Sequence, residues 1–290
     1  MTVPAPSAAP ARVATPLSVL MCRPTYFTVA YAINPWMDPS RPTDTALAIA
    51  QWEDLVATYR SLGFGVELLE PLPGLPDMVF AANGGLVVAG RAYTASFAHE
   101  ERRPEAAAHA AWFAAAGLEV VEATEVNEGE GDFLAIGDAI LAGTGFRASR
   151  GSHEELARVF DREIVPLTLV REDYYHLDTA IAVLDARPGS EQIAYLPSAF
   201  DGAGLAELRR RYPQAIEASE EDAALFALNV VSDGRHVVTA AGATRFHAQL
   251  AADGFVPVSV DLSELRAGGG GVKCCTLEVR LPRAAAEAVA

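Results

Sequence analysis

Cysteine is scarce in this chain: 290 residues carry three, Cys22, Cys274 and Cys275. Three thiols are too few for a disulfide framework, and two of them are adjacent, a spacing that rarely bridges. No CxxC, HExxH or comparable spacing occurs among these cysteines and the six histidines. No metal and no cofactor is expected on that basis. Long apolar runs are missing as well, with nothing near the roughly 18 consecutive apolar residues of a membrane span. Positive charge is in short supply, 22 Lys and Arg against 38 Asp and Glu, for a formal net charge of −16. That balance argues against a nucleic-acid or anionic-membrane partner and is compatible with a small cationic substrate. A reducing cytoplasm is the expected setting, and the sequence leaves a homo-oligomer open.

What is present is an ordinary globular composition, 51% hydrophobic and 21% charged. Residues 1–16 are rich in alanine and proline without an apolar segment, and are expected to form a disordered leader. Residues 17–282 are expected to form one α/β domain, followed by a tail at 283–290. Within the domain one pattern recurs at roughly 40 to 50 residues. Its unit is two short apolar runs around a Gly- or Asp-bearing turn, then a helix, then a third apolar run, which reads as ββαβ. Examples are Gly84–Ala89, Ala92–Ala95, Pro104–Gly117 and Leu118–Val121, and then Phe133–Ile136, Ala139–Ala142, a Ser152-capped helix to Phe160, and Ile164–Leu167. A first unit spans Leu17–Met21, a helix over Thr43–Leu62 with Leu47, Ala50, Leu55 and Tyr59 near helical spacing, and Val66–Leu69. Two further units follow, the last with a strand at Leu228–Val231. A final apolar run, Cys274–Arg280, has no helix of its own and reads as a strand returning to complete the first unit and close a ring of five.

Closure predicts that matching positions of the units meet near one axis. The segments before the units' first strands hold Asn83, then Glu128 to Asp132, then His176-Leu177-Asp178. Cys274 opens the closing strand, just after Gly268-Gly269-Gly270-Gly271. A thiol, an imidazole and carboxylates brought together are what nucleophilic catalysis needs. The bland alternative for each residue is structural: a buried free cysteine, a core histidine, a turn-capping acid.

Four segments, Pro76-Asp77-Met78-Val79-Phe80-Ala81-Ala82-Asn83, Glu128-Gly129-Glu130-Gly131-Asp132, His176-Leu177-Asp178-Thr179 and Gly268 through Thr276, carry a resemblance to the guanidino-group modifying superfamily of the pentein fold. That superfamily includes arginine deiminases, dimethylargininases, arginine dihydrolases and amidinotransferases. The resemblance implies a five-bladed α/β propeller, in agreement with the repeat. It implies that Cys274 is the nucleophile and Cys275 a packed neighbour, and that His176 is the general acid/base. Glu128 would orient His176, with Glu130 a competitor because this segment holds one residue more than the family's pattern; Asp132 would stabilise the turn. Asp178 and Asn83 would meet the substrate's head group, Arg102 (or Arg103) and Arg147 its carboxylate, and Asn34 would contact it from the first-unit loop.

Deiminases and dimethylargininases carry aspartate at the Asn83 position, and dimethylargininases tend to carry lysine at the Asp178 position. The combination here is most similar to arginine dihydrolases. An amide can donate as well as accept, so it suits a neutral ureido group as well as a guanidinium. The expected activity is thiol-dependent hydrolysis of the guanidino carbon–nitrogen bonds of arginine or an N-methylated arginine through a covalent cysteine intermediate, giving citrulline, with onward hydrolysis to ornithine, ammonia and carbon dioxide favoured. Alternatives are a dimethylargininase or deiminase stopping at citrulline, an amidinotransferase, and a non-catalytic pentein serving as a binding module.

Overall fold

The computed structural model describes residues 12–282 of the chain. The bulk of the expected leader (1–11) and the tail at 283–290 lie outside the described residues. Residues 12–16, expected in the leader, are held against the body instead. Thr15 donates from its backbone and its hydroxyl to Asp233 O at 2.8 and 2.7 Å, and the Arg12 guanidinium lies 3.9 Å from the Phe255 ring centroid.

Five three-stranded sheets form, in the order the repeat predicts. The first joins β1 (Ser18–Cys22) and β2 (Gly65–Leu69) around α1 (Thr45–Ser61). The second holds β3 (Gly85–Val88), β4 (Arg91–Thr94), α2 (Glu105–Ala115) and β5 (Glu119–Val121). The third holds β6 (Phe133–Ile136), β7 (Ala139–Thr144), α3 (Arg150–Phe160) and β8 (Glu163–Thr168). The fourth opens with a one-turn helix α4 (Leu177–Ala180) and continues with β9 (Ile181–Asp185), β10 (Gln192–Tyr195), α5 (Gly202–Arg211) and β11 (Ile216–Glu217). The fifth has a short α6 (Glu220–Ala223), then β12 (Val231–Ser232), β13 (His236–Ala240), α7 (Thr244–Ala252) and β14 (Val256–Val260). A last turn of helix, α8 (Ser263–Arg266), leads to the glycine run, and β15 (Leu277–Glu278) ends the described fold.

In each complete unit the middle strand pairs antiparallel with its predecessor and parallel with its successor. The parallel step needs a crossover, which the helix supplies. Strand β1 takes the middle place in its own sheet. It is parallel to β2, and its antiparallel partner is β15, with Val19 opposite Glu278. The chain's end therefore completes its beginning. The β3–β4 hairpin is tight because its turn residues accept left-handed geometry: Ala89 and Gly90 have φ of 53° and 80°, the type I′ signature.

Some local expectations shift by a few residues. Helix α1 buries Ala48, Trp52, Leu55, Val56 and Tyr59, while Leu47 stays exposed. Helix α3 is capped by Ser149, which accepts from Ser152 N, and Ser152 sits inside the first turn. The largest change is at the closing segment, where only Leu277–Glu278 is strand; Cys274 and Cys275 lie in a turn closed by Thr276 N donating to Lys273 O at 2.8 Å. Among the described residues no helix is long and apolar enough to cross a membrane.

Candidate active site

The segments that lead into the first-strand positions meet and hydrogen-bond in a ring. Ala82 N donates to Cys274 O at 3.1 Å. Asn83 Nδ2 reaches Glu128 O at 3.4 Å, and the Glu128 carboxylate accepts from His176 Nε2 at 2.8 Å. Two residues on, Asp178 O accepts from Asn229 Nδ2 at 3.1 Å, and Asn229 returns to Cys274 through its side chain. Residues spread over most of the chain thus converge, as the repeat predicts.

The glycine run is packed. A side chain at Gly269 would meet Asn34 Nδ2 at 2.6 Å and Tyr175 Oη at 2.8 Å, and φ there is +87°. One at Gly270 would lie 2.3 Å from the Phe80 ring. Only glycine lets this backbone pass so close to its neighbours. It forms one wall of a narrow cavity, lined among others by Asn34, Asp77, Asn83, Arg102, Arg147 and Cys274.

The Cys274 thiol is buried and donates to Asp178 Oδ2 at 3.3 Å. Burial pushes it well above the usual thiol range, and the Asp178 carboxylate adds to the effect. Burial likewise pushes Asp178 up to about 7, against the thiol, Lys273 and Asn229, which lower it. Cys275 is buried in the apolar cluster behind the turn, as a packed neighbour would be.

On the other side of the ring Glu128 bonds His176, which separates it from Glu130. Glu130 faces away and binds Lys273 Nζ at 2.6 Å, Glu278 N at 2.9 Å and Arg280. Asp132 accepts from Glu128 N at 2.8 Å and shapes the turn. Burial alone would raise Glu128, but Arg147, His176 and Arg102 outweigh it and hold the carboxylate below the usual range. Burial pushes His176 down to about 4, with Arg147 and Arg102 adding to it and Glu128 opposing. His176 is therefore a neutral imidazole whose Nε2–H donates to Glu128.

The two arginines differ. Arg102 lines the cavity but spends its fork on Glu105, at 3.0 Å from Nε and 2.8 Å from Nη2, and gives Nη1 to Asn83 Oδ1 at 2.7 Å. Arg103 lies outside beside Glu100. Arg147 stacks on Tyr175 at 4.6 Å and donates to Glu128 and Ile33 O, while its Nε makes no hydrogen bond among the described residues. Asn34 also lines the cavity, with its amide engaged by Tyr175, Gly268 O and Trp36 N. It ties the first-unit loop to the glycine run.

Two residues escaped the sequence reading, Asp77 in the cavity lining and Asn229 beside Cys274. Asp77 is buried with Tyr31 Oη on Oδ2 at 2.8 Å, and its Oδ1 has no partner among the described residues. Asn229 sits before β12, the same place in its unit that Asn83 and His176 hold in theirs. The sequence reading put a strand at Leu228–Val231 and so hid it; the repeat register itself was the signal.

This chemistry, carried at matching positions of five small sheets, is that of the guanidino-group modifying superfamily of pentein proteins. Within it, the model for N,N dimethylarginine dimethylhydrolase, eukaryotic, matches residues 24–281, and the chain belongs to that family. The N(G),N(G)-dimethylarginine dimethylaminohydrolase of Mycobacterium tuberculosis is 50% identical over 259 residues, 89% of this chain and 84% of that protein. The bifunctional arginine dihydrolase/ornithine cyclodeaminase ArgZ of Synechocystis is 35% identical over 273 residues, 92% of this chain but 38% of that longer protein. A crystal structure of the N-terminal domain of ArgZ bound to product superposes with a TM-score of 0.87 at 35% identity, covering 92% of this chain and 99% of that one. The same domain has been solved covalently bound to a reaction intermediate, with TM-score 0.86 and 34% identity over 92% of this chain and 98% of that one. The chain is accordingly a hydrolase of guanidino carbon–nitrogen bonds.

Proposed function

We propose that the enzyme acts on free arginine and carries the hydrolysis through to ornithine, two ammonia molecules and carbon dioxide, using two waters. The observation that carries this reading is the pairing of Asn83, an amide, with an Asp178 whose Oδ1 is buried and without a partner among the described residues. A site with one such carboxylate attracts a guanidinium, and the amide lets it keep the neutral ureido group that the first hydrolysis leaves.

The steps follow from the geometry. A guanidinium entering beside Asp178 replaces the thiol proton as the positive charge facing that carboxylate, so the thiol gives up its proton, which His176 takes up. Cys274 Sγ bonds the guanidino carbon, a carbon–nitrogen bond breaks, and ammonia leaves with a proton from His176. Water gives a proton back to His176 and adds to the same carbon, and the sulfur–carbon bond breaks to restore the thiolate. A second round on the ureido carbon releases the second ammonia and a carbamate, which loses carbon dioxide. Glu128 holds His176 and favours its charged form when the proton arrives. At the far end Asp77 Oδ1 faces the substrate's ammonium, and Arg147, with Arg102 behind it, its carboxylate.

The same reading takes residues 17–282 as one catalytic domain whose five sheets are the blades of an α/β propeller. It is supported by the ring of hydrogen bonds among the five approach segments and by the β1–β15 closure. A second reading, hydrolysis of dimethylarginine to citrulline and dimethylamine, is favoured by the 50% identity to the Mycobacterium tuberculosis protein. Separate incubations with arginine, dimethylarginine and citrulline, with the amino-acid products resolved, decide between them. Ornithine from arginine is the expected result. Citrulline accumulating from dimethylarginine alone would overturn it.

A further inference from the structure

Asn229 touches the reacting atom. Its Nδ2 lies 3.2 Å from Cys274 Sγ and 3.1 Å from Asp178 O, and its Oδ1 accepts from Cys274 N at 3.1 Å. The amide cannot be turned around. Cys274 N–H needs an acceptor and the Asp178 carbonyl needs a donor, so the two backbone groups dictate which end is oxygen. With one Nδ2 hydrogen on Asp178 O, the other is left for the sulfur. The residue is fully buried and reaches the site on a strained turn, with Phe226, three residues earlier, at φ +61° and in edge contact with Trp36 at 4.7 Å. Such strain in a non-glycine residue persists where the surroundings hold it, and it gathers at functional sites.

We infer that Asn229 is a further catalytic residue, an amide donor that stabilises the thiolate form of Cys274 both for attack and as the leaving group when the adduct is hydrolysed. The thiol's own hydrogen bond goes to Asp178 Oδ2 at 3.3 Å and is lost on ionisation, when that carboxylate becomes repulsive. The Nδ2–H bond does the reverse, since a donor holds an anionic sulfur more strongly than a neutral one. Once sulfur is bonded to the substrate carbon it is a poor acceptor, so the same donor favours the return of the thiolate. The other groups around the thiol are Asp178 from α4, Lys273 and Cys275 from its own turn, Tyr175 before α4, and Asp77, Arg102 and Arg147 around the cavity. Among the described residues Asn229 is the one neutral side chain that donates a hydrogen bond to Cys274 Sγ. The inference rests on Cys274 being the nucleophile, as proposed above.

The test is the pH dependence of iodoacetamide alkylation of Cys274 in the full chain, with Cys274→Ser as the blank. It needs no turnover, so it stays readable whichever substrate reading holds. Asn229→Ala is expected to slow alkylation at pH 7 by roughly 10-fold or more, the size of one hydrogen bond to a charged group, with the rates converging at high pH. Asn229→Asp, which keeps the acceptor for Cys274 N but puts a charge where the donor was, should shift the midpoint further upward. Asn229→Ser guards against misfolding: a hydroxyl can donate in place of the amide, and partial recovery is expected. Unchanged midpoints in Asn229→Asp and Asn229→Ser, both folded by near-ultraviolet circular dichroism, would overturn the inference. So would equal slowing at every pH, which marks lost access rather than a lost donor.

Discussion

Two buried ion clusters grow from one short loop and have opposite character. The cluster around Glu130 is closed. Its carboxylate meets Lys273, Arg280 and Glu278 N, while Lys273 also binds Glu278 at 2.9 Å and Thr276 O at 3.3 Å. The cluster around Glu128 borders the cavity and is incomplete. It joins His176, Arg147 and Arg102, and beside it Asp77 Oδ1 and Asp178 Oδ1 are buried without a partner among the described residues. A saturated network clamps the cysteine turn to the Glu128 loop. An unsaturated one costs stability, and under the proposed function it is where the substrate's cationic groups would be received.

That contrast can be broken in four ways, largest effect first. Cys274→Ser should lower kcat by roughly 10⁴-fold or more, and Cys275→Ser should leave it within a few-fold, both followed by product chromatography. A dead Cys275 variant beside an active Cys274 variant would reverse the assignment. Next, Glu128→Gln should cost roughly 10²- to 10⁴-fold in kcat, whereas Glu130→Gln should appear chiefly in urea denaturation, as a loss of about 3–5 kcal/mol. A Glu130 variant with an unchanged urea midpoint and collapsed turnover would erase the distinction.

Asp178→Asn tests the cost of the incomplete cluster. A folded-state pKa raised to about 7 means the native protein holds that proton more tightly than the unfolded chain. The associated stability is full below the unfolded value and is lost as pH rises towards 7. Removing the charge should therefore stabilise the protein at pH 8, by a few kcal/mol, on the order of 3, and change little at pH 4, while turnover falls. Equal urea midpoints at pH 8 would show that Asp178 is not held against its charge. Smallest is Arg103→Ala: the side chain is 59% exposed, and the change should lie within about 0.5 kcal/mol in stability and leave kcat/KM near that of the parent.

Much of this was legible in the residues themselves. The Gly- and Asp-bearing turns and the alternation of apolar runs with helices gave five units whose order the structure keeps, because short-range turn and helix chemistry is written locally. What misled was the run Cys274–Arg280, whose β-forming composition promised a strand beginning at Cys274 itself. Packing of the glycine run against Phe80, Asn34 and Tyr175 won, and it bent Cys274 and Cys275 into a turn. Asp77 and Asn229 were missed for a related reason. An acid in a loop and an amide beside an apolar run look structural until the partner lying across the fold is seen.

By itself the sequence determined the unit order, the residue types available at each approach to the site, and the closure of the first sheet by the chain's end. It left Glu128 and Glu130 as rivals, and Arg102 and Arg103 likewise, because residues so close along the chain differ in nothing that spacing records. The tertiary structure decided between them. It did so by burial, which fixes the side each side chain takes. Burial is also what drives the thiol and Asp178 upward and His176 downward, and desolvation belongs to the packed fold rather than to any stretch of chain.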